Sequence, residues 1–154
     1  MQRVFALTTI VLFSLAVSIC APNQVWAATC TVGARPVAFG NYNPFNTTPL
    51  NRTSRITVIC NGNGRFSVAL STGQSGAYNP RYMSSASTSD RLAYNLYTTA
   101  ARVIIFGDGT AGTQTVSRNF NNNRVNIRVY GQLPALENVA SGIYADSIMA
   151  TVTF

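Results

Sequence analysis

Short segments in which apolar and polar residues alternate recur along the chain, and this period of two constrains its fold more than any other feature. Such alternation places the apolar side chains on one face of a β-strand. It occurs in residues 55–60, 66–71, 92–96, 124–129 and 146–154. Turn-forming residues separate these segments, and no segment has a sustained helical period. We therefore expect an all-β sandwich of seven or eight short strands, with loops at 73–89 and 107–124.

The last of these segments carries a complete two-faced pattern. Its apolar residues alternate with residues that are mostly hydroxylic; the apolar set is Ile148, Ala150, Val152 and Phe154. We predict a strand that begins at Asp146 and presents one apolar face. No later strand in this sequence follows it, so we expect this face to need a partner.

The first residues have the features of a secretory signal peptide. Arg3 precedes an apolar run at 4–17, and Val25-Trp26-Ala27 ends on a small residue, which fits a cleavage site. We predict a signal peptide at 1–27 and one mature domain at 28–154. A retained membrane anchor is a weaker alternative, because a spanning helix needs roughly 20 apolar residues. Lipid attachment at Cys20 is also weaker, because Ile19 precedes it where a small residue is usual.

Export would leave two cysteines, Cys30 and Cys60, in the mature chain. In an oxidising compartment an isolated pair indicates a disulfide rather than a metal site or a nucleophile. We expect this bridge to join the first strand to the second.

The charge balance is basic and contains no histidine. The chain has 11 Lys and Arg residues against four acidic residues, which gives a net charge of +7. This balance favours acidic partners, such as an anionic surface or a glycan receptor. The plainer interpretation is that arginines spaced singly along strands keep a sheet soluble; they include Arg55, Arg65, Arg124 and Arg128. We expect no nucleic-acid binding from an exported chain without a basic cluster.

The residues that could carry catalysis are few. Histidine is the commonest general base, and this chain has none. The four acids are Asp90, Asp108, Glu137 and Asp146, and no motif brings two of them together for hydrolysis. Asp108 lies between two glycines and indicates a turn rather than a calcium loop, which needs several oxygen ligands. Asp146 is interpreted as a turn or strand-edge residue. We expect no enzyme activity, no cofactor and no metal.

Several motifs, in a fixed order, resemble one known family. The first is Cys30-Thr31-Val32, followed by residues 37–44, which read VAFGNYNP, and by 56–60, which read ITVIC. The middle contains LSTG at 70–73, RYM at 81–83 and LAYNLY at 92–97. The end contains FGDG at 106–109, VYG at 129–131, GIYAD at 142–146 and TVTF at 151–154. Together they are similar to the spore coat protein U family, which includes subunits of archaic chaperone-usher pili.

The resemblance implies an incomplete immunoglobulin-like β-sandwich that a donated strand completes. Its partners would be a periplasmic chaperone, an outer-membrane usher and a neighbouring pilus subunit. One wall of the groove would be the apolar face of the last strand, Ile148, Ala150, Val152 and Phe154. The other wall would come from the strand after Cys30, with Val32, Val37 and Phe39. The chain would be exported through the periplasm to the cell surface, as a fimbrium for adhesion and biofilm formation, or secreted.

One departure from the family concerns the strand that a polymerising subunit donates. Such subunits carry an alternating apolar segment before the first cysteine, whereas cleavage after Ala27 would leave only Ala28 and Thr29 there. Cleavage after Ala21 would leave 22–29, which opens on a proline and has no apolar alternation. We expect a subunit that accepts a strand without donating one, at the tip or as a terminator. The alternatives are a self-contained spore-coat or matrix protein and a carbohydrate-binding adhesin module.

Overall fold

The computed structural model describes residues 28–154, so the predicted signal peptide lies outside the described residues. The described part contains nine β-strands and one turn of 3₁₀ helix, Gly73–Ser75. The strands are β1 Thr29–Ala34, β2 Leu50–Asn61, β3 Asn63–Leu70, β4 Arg81–Ser85, β5 Arg91–Tyr97, β6 Val116–Asn121, β7 Arg124–Leu133, β8 Tyr144–Ala145 and β9 Ala150–Thr153.

The strands form two sheets in which every neighbouring pair is antiparallel. The larger sheet has the order β1-β2-β7-β5-β4-β8, and the smaller has the order β6-β3-β9. The predicted all-β sandwich is therefore confirmed. Among the strands of residues 28–154, β1 and β9 lie at sheet edges, each bonded to one neighbouring strand.

The core lies between the sheets and is made by the inward residues of the alternating segments. Ile56 and Val58 of β2 are buried on one side, as is Ile127 of β7. Phe66 and Val68 of β3 are buried on the other. Alternate side chains of both sheets thus interdigitate, as in other sandwiches.

The predicted disulfide joins β1 to β2. Cys30 and Cys60 are bonded to each other and lie directly opposite in the register of the two strands. The bridge ties down the edge strand β1 close to its first residue.

Two strands lie inside the ranges predicted as loops, so that part of the prediction is wrong. β4 lies within 73–89, and its pattern is hidden because one of its buried positions is an arginine, Arg81. β6 lies within 107–124 and buries only Val116 and Phe120, four residues apart, with the exposed Arg118 between them. Phe120 stacks against Phe66 at a centroid distance of 6.1 Å. Neither strand shows an apolar alternation in the sequence.

The last strand is shorter than predicted, because it begins at Ala150 rather than at Asp146. The Asp146 carboxylate accepts hydrogen bonds from the amides of Gln74 and Ser147, at 2.9 and 2.7 Å. These bonds hold Asp146 outside a regular strand, and residues 146–149 have no regular structure.

The first strand also ends earlier than the groove prediction required. β1 ends at Ala34, so Val37 and Phe39 lie beyond it in a segment without regular structure. That segment approaches β7 at Gly131, where an added Cβ would lie 2.7 Å from Val37 Cγ1 and 2.9 Å from Phe39 Cζ. Only glycine leaves room for this approach.

Removing the disulfide should destabilise the fold without changing it. The bridge spans a sequence separation of 30, and closing such a loop is worth about 3 to 4 kcal/mol on the chain-entropy model. We expect the Cys30→Ser, Cys60→Ser double variant to lose about that much unfolding free energy in urea titrations. The wild type in reducing agent should behave in the same way, and an unchanged urea midpoint would contradict the prediction.

Candidate functional site

A cleft opens onto the core between the two sheets, and we call it the main cleft. It has a volume of about 410 Å³. One rim lies within residues 34–39, from the end of β1 onward, and the other lies within residues 144–150, from β8 to the start of β9. Its floor consists of buried core residues, namely Ile56, Leu70, Met83, Tyr94, Leu96 and Val129. The cleft is therefore an opening into the core between two edge strands.

A second cavity of about 570 Å³ continues the first along the same opening. The two share four lining residues, namely Val37, Phe39, Met83 and Tyr144. The second is bounded by residues 37–44 on one side and 139–144 on the other. Together they make one elongated cleft, a shape that suits an extended peptide better than a compact ligand.

Four of the seven residues predicted for the groove line the main cleft. These are Val37, Phe39, Ile148 and Ala150. Val152 is half-buried against the core next to them but does not line the cleft. Val32 and Phe154 are 47% and 57% exposed and also lie outside it.

Several residues of the cleft floor were not among the predicted groove residues. Leu70 ends β3, Leu96 and Tyr94 belong to β5, and Val129 belongs to β7. Each occupies an inward position of a strand that the alternation did identify. The alternation does not tell which part of the core borders the cleft. That depends on the order of the strands in the sheets rather than on local sequence.

A set of polar contacts supports the rim that leads into β9. The Tyr94 hydroxyl donates a hydrogen bond of 2.6 Å to Asp146 Oδ2, while Oδ1 accepts from the Gln74 and Ser147 amides. Asp146 thereby joins the larger sheet, the 3₁₀ turn and the rim. Burial, followed by the hydrogen bond and the charge of Asp146, raises the pKa of Tyr94 above its ordinary value.

Arg81 lies behind this rim and is fully buried. Its Nε and Nη2 donate to the carbonyl oxygen of Ser71 at 3.2 and 2.9 Å, and Nη2 also donates to that of Phe106 at 2.8 Å. The guanidinium carbon lies 5.0 Å from the centre of the Tyr78 ring. Burial lowers the pKa of Arg81. The side chain links the end of β3 to the segment before β6, so its role is structural.

The acidic residues within 28–154 form no cluster able to hold a metal ion. Asp108 accepts hydrogen bonds from the hydroxyl and the amide of Thr110, at 2.6 and 2.9 Å, and these lower its pKa. It lies in a turn, as predicted. Within residues 28–154 no three His, Cys, Asp or Glu residues come close enough to hold a metal ion. Nor does this part contain a helix long and apolar enough to cross a membrane.

Comparison with known proteins gives a family, a relative and a fold. Residues 13–151 match the Spore Coat Protein U domain family. Over 97 residues the chain is 38% identical to Protein U of Myxococcus xanthus. The aligned residues are 63% of this chain and 51% of that protein. The chain thus spans about half the length of this curated relative.

A solved structure shares the fold. It is the crystal structure of the CsuC–CsuE chaperone–tip adhesion subunit pre-assembly complex from archaic chaperone-usher Csu pili of Acinetobacter baumannii. The TM-score is 0.62 at 22% identity, and the match covers 83% of this chain and 40% of that one. The sandwich is therefore of the immunoglobulin-like pilin type.

The contact between Tyr94 and Asp146 can be tested by Tyr94→Phe, which removes one hydroxyl. We expect the unfolding free energy at neutral pH to fall by about 1 to 2 kcal/mol, because a buried hydrogen bond to a charged group is lost. Tyr82→Phe is the matched control, since the Tyr82 hydroxyl makes no hydrogen bond within residues 28–154. Equal losses in both variants would contradict the assignment.

The same variant predicts a change at alkaline pH. The pKa of Tyr94 is raised by folding, so its contribution is complete below the unfolded value near 10 and is lost as pH rises beyond it. Stability of the wild type should therefore fall above about pH 10, and that of Tyr94→Phe should fall less steeply. Urea titrations between about pH 9 and 11 measure this; equal slopes would contradict it.

Proposed function

The chain belongs to the Spore Coat Protein U domain family, and from that premise we propose that it is a non-catalytic structural subunit of a chaperone-usher surface fibre. The observation that carries the proposal is the open cleft between the edges of the two sheets. In this proposal an extended strand from a partner occupies the cleft. The fold that the chain shares with a pilus chaperone–subunit complex supports it.

The edge of β9 offers the backbone groups for such a strand. β9 pairs with β3 through a register that runs from Ser67 opposite Thr153 to Leu70 opposite Ala150. No strand within residues 28–154 pairs with its other edge, and a free edge of this kind can take up a strand from another chain. An incoming strand would extend the smaller sheet by one strand, the mode known as β-augmentation.

The cleft floor offers apolar contacts for the same strand. Alternate side chains of an extended segment point to one side, and those facing inward would meet Leu70, Leu96 and Val129. These are buried core residues at the bottom of the cleft, whereas the half-buried Val37, Ile148 and Ala150 line its rims. Covering the apolar surface that the rims expose would stabilise the complex by about 25 cal/mol for each Å² buried. The strand therefore supplies both hydrogen bonds and core side chains.

We assign three partners to this cleft and its assembly. A periplasmic chaperone would fill the cleft first, in line with the solved complex of similar fold. A neighbouring subunit would then replace the chaperone strand, at an outer-membrane usher. The fibre would be displayed on the cell surface, with adhesion and biofilm formation as its uses.

Within the fibre we assign this subunit to the tip. β1 pairs with β2 from Thr29 onward, so residues from Thr29 are already used by this domain. If the signal peptide is removed after Ala27, too little chain remains before β1 to reach another subunit's cleft. A donated strand needs about five residues and a linker.

A self-contained coat or matrix protein is the alternative function. Its supporting observation is the 38% identity to Protein U of Myxococcus xanthus over 97 residues. That alternative predicts a stable monomer whose cleft stays unoccupied. Co-expression with a chaperone separates the two functions.

Ala150→Trp tests the cleft directly. Ala150 lines the cleft on the inward side of β9, and an indole there would occupy the space that an incoming strand needs. We expect the wild type to co-purify one-to-one with a chaperone encoded beside it, and Ala150→Trp to lose this complex. Size-exclusion chromatography with intact mass measures the stoichiometry.

Thr151→Trp is the matched control, because Thr151 is the next residue of β9 and faces solvent. It should retain the complex. Loss of the complex in both variants would indicate a damaged strand rather than a blocked cleft. A wild-type chain that folds cooperatively as a monomer and ignores the chaperone would overturn the proposed function.

The intact mass of the mature chain tests the tip assignment. A mass that starts at Ala28 supports it, because no donor segment then precedes β1. A mature chain that retains an extension able to occupy the cleft of a second copy would contradict it. Neither result bears on the separate proposal that the cleft accepts a strand.

A further inference from the structure

The outer face of the larger sheet carries a row of arginines on β2, β7 and the segment next to them. We call Arg35, Arg55, Arg124 and Arg128 the arginine face. Ile56 and Val58 of β2 and Ile127 of β7 point into the core, so their neighbours Arg55 and Arg128 point outward. All four arginines are exposed.

Three of these arginines lie side by side across the sheet. Arg55 and Arg128 are directly opposite in the register of β2 and β7. The Arg35 amide donates to the Arg55 carbonyl oxygen at 3.1 Å, which continues the β1 pairing by one residue. Neighbouring strands lie about 5 Å apart, so the three backbones form a closely spaced row. Arg124 lies four residues before Arg128 on the same face of β7.

In the part of the chain that the structure describes, no acidic group pairs with this row. The strands β1, β2 and β7 contain no aspartate or glutamate. Within residues 28–154 the four guanidinium groups make no hydrogen bond or ion pair. Like charges directly opposite each other across strands destabilise a sheet. Arginines placed far apart would keep the sheet equally soluble. The direct opposition of Arg55 and Arg128 therefore indicates a binding role.

Neutral hydrogen-bonding groups lie between and beside the arginines. Thr57 and Asn126 are opposite each other and joined by a hydrogen bond of 2.8 Å. Asn51 and Gln132 form a second such pair at 3.0 Å. Hydroxyl and amide groups can exchange hydrogen bonds with sugar hydroxyls, and the sheet offers them on an extended surface.

We propose that the arginine face binds a linear anionic polysaccharide whose carboxylate or sulfate groups pair with the arginines. Arginine suits this ligand because its planar guanidinium pairs with such anions in a bidentate manner. The row of charges matches repeated anions along a chain, and the intervening amides and hydroxyls match its neutral groups. Arg35 also lines the main cleft, but Arg55, Arg124 and Arg128 do not, so the opposed pair Arg55 and Arg128 can be changed without altering the strand-binding cleft.

The test compares two double variants with the same change in charge. Arg55→Gln with Arg128→Gln removes the opposed pair of the arginine face. Arg65→Gln with Arg118→Gln removes two exposed arginines from β3 and β6 of the smaller sheet. Binding to sodium alginate, a polyuronate, is measured by biolayer interferometry at about 50 mM salt, with neutral dextran as the uncharged probe. The whole chain is used, and where it accumulates as a chaperone complex, the chaperone alone is the blank.

We expect the wild type to bind alginate but not dextran, with affinity that falls as salt rises. The Arg55, Arg128 variant should bind at least about tenfold more weakly, since each lost charged hydrogen bond is worth roughly tenfold or more. The Arg65, Arg118 variant should stay within about twofold of the wild type. The melting temperature of the Arg55, Arg128 variant should equal or exceed that of the wild type, because a repulsion is removed.

Three results would overturn the proposal. The first is no binding of alginate by the wild type. The second is an equal loss in both double variants, which would show a general effect of net charge. The third is tighter binding of double-stranded DNA than of alginate, which would assign the face to another class of polymer. None of these results bears on chaperone binding by the cleft, which the Ala150 and Thr151 variants test separately.

Discussion

The candidate site depends on the hydrogen bonds to Asp146, which lies where the chain passes from the larger sheet to the smaller one. β8 belongs to the larger sheet and β9 to the smaller one, and only residues 146–149 connect them. The Asp146 carboxylate is held by Tyr94 from the larger sheet and by the Gln74 amide of the 3₁₀ turn. Gly73 has a φ of +68°, and a Cβ there would collide with the carboxylate. These contacts set where β9 begins, and thereby the position of one rim of the cleft.

The buried Arg81 supports the same region from behind. A buried charge is costly unless its hydrogen bonds are replaced, and here the carbonyl oxygens of Ser71 and Phe106 replace part of its hydration. Ser71 also bonds to Met149, because its amide donates to the Met149 carbonyl oxygen and its Oγ accepts from the Met149 amide, both at 2.9 Å. The arginine is therefore connected, through Ser71, to the residue just before β9. These contacts fix the position of the rim from which an incoming strand would, in the proposed function, extend the smaller sheet.

Much of the fold follows from residues that are adjacent in the sequence. The alternation of Ile56, Val58 and Cys60 is enough to identify β2 and its inward face, because β-strand periodicity is a local property. The pairing of Cys30 with Cys60 follows from composition, since export would leave no other cysteine. β4 and β6 were missed for a local reason too: Arg81 is polar at a buried position, and Phe120 lies four residues from Val116. Their strand conformation comes from neighbours that are distant in sequence.

For the site, the sequence by itself determined the two segments that line the cleft. One contains Val37 and Phe39, and the other contains Ile148 and Ala150. It also determined the basic charge and the scarcity of groups able to carry catalysis. Only the tertiary structure decided the floor of the cleft, the hydrogen bond between Tyr94 and Asp146, and the direct opposition of Arg55 and Arg128. The physical reason is that these depend on sheet order and strand register. Both are set by pairings between residues far apart in the sequence, such as Arg55 and Arg128, which are 73 positions apart. A local pattern tells which way a side chain points, but it does not tell which side chain lies opposite.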